Sequence, residues 1–109
     1  MNHRPDRVGQ LIRDELSVLV AKELEFPSML VTLVDVTVNK KLDIADVFVS
    51  VWPQEARKTA LTILRAAQPR LQWLLLQRFR IKPMPRIEFK LDKGNENAAD
   101  VEKALLQNE

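Results

Sequence analysis

Apolar positions along this chain change period several times, and each change marks an element. Val8, Leu11, Ile12, Leu16, Leu19, Val20 and Leu24 recur three and four residues apart, which predicts an amphipathic helix from Pro5 to Leu24. Pro5 and Asp6 suit its first turn, and Glu25-Phe26-Pro27 ends it. Met29 to Val38 is rich in β-branched residues, with Val34, Val36 and Val38 alternating against Asp35 and Thr37. Ile44 to Trp52 alternates again, with Ala45, Val47, Val49 and Val51 on one side. The polar link 39–43 between the two runs predicts an antiparallel hairpin. Phe48, Phe79 and Phe89 read as core, and Trp52, beside Pro53, as the core rim.

A second helical stripe, Leu61, Leu64, Leu71, Leu74 and Leu75, has a proline in its middle. Pro69 lacks an N–H, and its ring disfavours helical backbone at Gln68. The stripe is therefore expected to be two helices, Gln54–Ala67 and Pro69–Phe79, joined by a kink at Ala66, Ala67, Gln68 and Pro69. Arg86 to Leu91 is a third strand, with Ile87, Phe89 and Leu91 on one face. The tail from Asp92 to Glu109 is polar and ends in a weak helical patch at Val101, Ala104 and Leu105. The order α-β-β-α-kink-α-β predicts a single α+β domain, a three-stranded sheet packed on helices.

Size and composition narrow the classes. A chain of 109 residues with 46% hydrophobic content suits one folded domain. It has no cysteine, so disulfides, thiolate metal sites and a cysteine nucleophile are excluded. No apolar run approaches the roughly 20 residues of a membrane span, and the polar N-terminus lacks a signal-peptide core. A cytoplasmic monomer is expected.

Net charge is only +2, but it is unevenly spread. Between Arg65 and Lys90 lie seven basic residues, Arg65, Arg70, Arg78, Arg80, Lys82, Arg86 and Lys90, against one acid, Glu88. That window carries +6 and the rest of the chain −4. Such a concentration suits an anionic partner, a nucleic-acid backbone above all. Arg70, Arg78, Arg80 and Lys82 lead as phosphate contacts, followed by Arg65 and Arg86; Lys90 is also placed to pair with Glu88 or Asp92. Lys40 and Lys41 at the hairpin tip form a separate candidate contact. Trp73 is expected to pack on the tail or the sheet rather than to stack on a base.

Catalytic chemistry is sparse. The one histidine, His3, lies at the extreme N-terminus, there is no tyrosine, and the three serines have no base near them in sequence. Asp43 and Asp46 lack the ligand density of a calcium loop. Gly9 and Gly94 are the only glycines, so no phosphate-cradling loop is present. The GXXG loop by which KH modules clamp nucleic-acid backbone is likewise missing.

Four segments together resemble the ribosome-binding factor A family, over about Arg7 to Leu106. They are RVGQLIRDELSVLVAKEL, the paired run LVTLVDVTVNKKLDIADVFVSV, the interrupted helix at Ala66-Ala67-Gln68, and MPRIEFKLDK with its closing Asp92. The family has Ala-x-Gly where this chain has Ala66-Ala67-Gln68. The resemblance implies a type II KH-like fold with a helix-kink-helix in place of GXXG, and no cofactor or metal. It implies a non-enzymatic protein that binds the small ribosomal subunit and its 16S rRNA and supports late maturation of the rRNA 5′ region, most importantly in the cold. A protein–protein module and a general KH-like RNA binder are the alternatives.

Overall fold

The first apolar stripe forms helix α1, Arg4–Glu23, in a computed structural model that describes residues 4–81 and 83–92. His3, Lys82 and the expected tail segment at 93–109 lie outside the described residues. Strands β1, Leu30–Val38, and β2, Ile44–Trp52, make the expected antiparallel hairpin. A 3-10 turn at Gln54–Ala56 leads into helix α2, Arg57–Arg78, and strand β3, Arg86–Leu91, closes the described chain. The sheet order is β1-β2-β3, with β3 parallel to β2. The fold is thus α+β, and its topology is consistent with the KH-like expectation.

Both helices bury their stripes on one face of the sheet. Val8, Ile12, Leu16, Leu19 and Val20 of α1 and Ala60, Leu64, Leu71 and Leu75 of α2 form one core with Val36, Val38, Ala45, Val47, Val49, Val51, Ile87 and Phe89. Strand alternation explains most of this set, but not all of β1. Pairing with β2 slips by one residue between Leu33 and Asp35. Val31 and Leu33 face the core before the slip, Val36 and Val38 after it, and Val34 sits at the bulge. The sequence pattern places Val34 with Val36 and Val38, because a period of two contains no extra residue.

Phe48 is a second correction. It is half-buried on the outer face of the sheet, in register with Asp35 and Lys90, and is not a core member. Trp52, expected at the core rim, is 72% exposed on that same face. The hairpin tip is held by Asn39. Its side-chain oxygen accepts from the amides of Asp43 and Ile44 at 3.0 and 3.2 Å, and its amide donates to the Asp43 carboxylate. Asp43 in turn accepts from Arg86 N at 2.9 Å, which starts the β2–β3 ladder.

The two helices expected around Pro69 are one. Helical backbone runs through Arg57–Arg78 with Pro69 inside it. Pro69 removes only the bond that its N–H would give to the Arg65 carbonyl, and its fixed φ is itself helical. Leu64, Leu71 and Leu75, all fully buried, press both halves onto the same sheet. That burial outweighs the local preference against helix at Gln68. Positive φ among the described non-glycine residues is confined to Ser28 and Leu42, so Gln68 makes no glycine-like bend. Within the expected kink, Ala66 and Pro69 are exposed, while Ala67 and Gln68 are half-buried.

Helix α1 lies very close to β1. A Cβ added to Gly9 would stand 2.9 Å from the Val36 carbonyl oxygen and 3.6 Å from Val38 Cγ2. Alanine at an exposed helical position gains about 1 kcal/mol over glycine. Here the strand backbone must yield, at an overpacking cost of about 1–3 kcal/mol. Gly9→Ala is therefore expected to lower stability by about 1 kcal/mol, and urea unfolding monitored by circular dichroism checks it.

Candidate nucleic-acid interface

Helix α2 contains no acidic residue over its 22 positions, yet carries Arg57, Lys58, Arg65, Arg70 and Arg78. Its inner stripe is buried, so these cations are confined to its flanks and outer face. Two flanks result, and they differ in what they meet.

The first flank faces β3. As an edge strand, β3 turns a row of backbone groups away from β2, and these need partners. Gln72 supplies two: its Nε2 donates to Pro85 O at 3.0 Å, and its Oε1 accepts from Ile87 N at 2.8 Å. Gln68 Nε2 donates to Ile87 O at 3.2 Å, and Arg65 Nη2 donates to Phe89 O at 3.3 Å. Residues 65, 68 and 72, one helical face, thus descend along residues 89, 87 and 85, one strand edge. Beside this ladder opens a cleft of about 360 Å³ lined by Arg65, Gln68 and the strand from Arg86 to Lys90. Arg65, Arg86 and Lys90 give it three cations against the single acid Glu88.

The second flank faces α1. Arg70 meets Glu23 at 3.4 Å and Arg78 meets Glu15 at 3.2 Å. Both guanidinium groups remain more than half exposed, and pairs of this kind hold a side chain weakly. Lys90 pairs with Asp46 at 3.0 Å across the sheet. Arg80 is exposed just beyond α2, and Lys40 and Lys41 are exposed at the hairpin tip.

The single positive flank expected from sequence is therefore divided. The structure brings together Arg65, Arg86 and Lys90 at the β3 cleft, and sets Arg70 and Arg78 on the opposite side of α2. The physical reason is helical geometry: residues 65 and 70 are five apart and diverge around the helix axis. The sequence reading does not single out Gln72, and it places Gln68 at the expected kink, where the family has a glycine, rather than at a binding surface. Their signal was present as an Arg65, Gln68, Gln72 spacing of three and four. Trp73, expected to pack away, is 55% exposed on the outer face of α2.

Among the described residues no group of His, Cys, Asp and Glu could hold a metal, and no helix is long and apolar enough to cross a membrane. What the arrangement offers chemically is fixed cations and amides beside a backbone edge, suited to binding an anion.

Comparison with known proteins agrees with that character. Residues 4–105 match the family model described as ribosome-binding factor A. A ribosome-binding factor A from Brevibacillus brevis is 35% identical over 106 residues, covering 95% of this chain and 88% of that one. The crystal structure of ribosome-binding factor A from Thermus thermophilus superposes with a TM-score of 0.70 at 27% identity, covering 80% of this chain and 93% of the other. Thermus thermophilus coordinates fitted into a cryo-electron-microscopy map of a 30S–ribosome-binding factor A complex match with a TM-score of 0.65 at 28% identity, over 78% and 91% of the two chains. The family-model match over nearly the whole length, together with a relative above 30% identity and of similar size, places the chain in the ribosome-binding factor A family.

Proposed function

We propose that this chain is a non-enzymatic, cytoplasmic assembly factor. It binds the 30S subunit through 16S rRNA and assists late maturation of that RNA, including its 5′ end, most importantly in the cold. The relative fitted into a 30S complex supports the partner; the maturation step and the cold dependence rest on family resemblance. One observation on this chain carries the contact surface: the acid-free helix α2, with Arg65 and Arg86 flanking the β3 cleft. Phosphate contacts of this type position a protein without reading sequence. The proposed contact set also includes Arg80 and Lys82, with Lys90 at the cleft and Arg70 and Arg78 on the α1 side of α2 as a second, separate patch.

Arg65→Glu combined with Arg86→Glu tests the surface in a sedimentation assay with purified 30S subunits. Wild type is expected to bind with a steep salt dependence. The double variant is expected to bind more weakly, with a log–log salt slope smaller by about 1 per lost phosphate contact. In cells that lack the wild-type protein, the variant is expected to leave 16S precursor with an unprocessed 5′ end at low temperature. Unchanged affinity and slope would remove the cleft from the interface.

A further inference from the structure

Trp73 and Leu76 are 55% and 47% exposed on the outer face of α2, where a soluble helix ordinarily carries polar side chains. Pro69 and Ala66, one and two turns earlier, are exposed beside them. The result is a short apolar ridge centred on one indole ring. Arg70 stands three residues before Trp73 and Gln77 four after it, both exposed and within reach across a helical turn. No acid lies anywhere on this helix to repel an anion.

We infer that Trp73 is a stacking platform for one unpaired base of RNA, with Arg70 taking the adjoining phosphate. This rests on the RNA-binding reading above and adds a contact of a different kind to it. An aromatic face accepts any base, because every base has a π-face, and a neighbouring guanidinium steadies the strand. An apolar protein partner would gain nothing from the missing acids, whereas a polyanion does. The weak Arg70–Glu23 pair at 3.4 Å leaves that guanidinium free to turn toward the ligand.

Three variants and the wild type, titrated against purified 30S subunits over a range of salt, test the assignment. Stacking on one base corresponds to a loss of about 5- to 150-fold in affinity for Trp73→Ala. Its salt slope is expected to stay at the wild-type value, because an indole neutralises no phosphate. Trp73→Phe is expected to bind close to wild type, and Trp73→Leu as poorly as Trp73→Ala. Thermal melts establish that each variant folds, as an exposed position should allow. If Trp73→Leu binds like wild type, the ridge docks apolar protein surface and the stacking assignment is wrong. If Trp73→Ala binds like wild type, the ridge is no contact at all. If the wild type itself fails to bind subunits, the functional reading and this assignment fall together.

Discussion

Alanine in place of Pro69 is expected to raise the stability of this fold by about 2–3 kcal/mol. Proline inside a helix costs about 3 kcal/mol relative to alanine, through the lost hydrogen bond and the clash of its ring with the carbonyl four residues back. That carbonyl belongs to Arg65, whose side chain already bonds Phe89 O. Position 69 is exposed, so the exchange removes no core contact. The buried leucines on either side stay on the sheet in both proteins. Chemical denaturation with an unchanged m-value is the measurement, since an altered slope would signal a change in the unfolded state instead. Absence of a gain would show that proline carries no helix penalty at position 69 and would overturn this expectation. A gain accompanied by weaker 30S binding would show that the proline serves the interface at the expense of stability.

The second large effect concerns the ladder between α2 and β3. Gln68→Met with Gln72→Met keeps side chains of similar length and helix preference but removes both amides. Three hydrogen bonds to β3 are lost, to Pro85 O, Ile87 N and Ile87 O. Each is worth about 1 kcal/mol net, and more where the abandoned backbone group stays shielded from water, so a loss of about 2–4 kcal/mol is expected. Hydrogen exchange gives the specific readout. The Ile87 amide, held by Gln72 Oε1 at 2.8 Å, should lose protection, while amides of the central strand β2 fall only as far as global stability falls. An Ile87 amide as slow as before would show that β3 needs no help from α2. Arg65 also belongs to this ladder, which ties the rigidity of the strand edge to the cleft. The same guanidinium that caps Phe89 O lines the cleft proposed to meet RNA.

The elements themselves were legible because each is a local repeat. Val8 to Val20 and Leu61 to Leu75 show helical spacing, and Ala45 to Val51 shows a strict period of two. Burial follows these periods at most positions, but Leu11 is 48% exposed and Leu61 and Leu74 are only half-buried. Failures occur where a local rule meets a nonlocal force. Pro69 argues for a break, yet buried leucines on both sides hold the helix together. Val34 alternates correctly within its own strand, but pairing with β2 inserts a bulge there. Phe48 has the chemistry of a core residue and the wrong parity to reach the core.

The candidate site shows the same division. Charge content was readable, since seven basic residues against one acid are a matter of composition along the window from Arg65 to Lys90. Their grouping was not, because it depends on which flank of α2 meets β3 and which meets α1. Sequence alone determined helix α1, the three strands and the acid-free stretch, all properties of neighbours along the chain. Tertiary structure alone decided that β3 lies parallel beside β2 with its free edge against Arg65, Gln68 and Gln72, that Arg70 and Arg78 turn toward α1, and that Trp73 stays in solvent. Those outcomes depend on contacts between residues far apart in sequence, and no repeat along the chain encodes them.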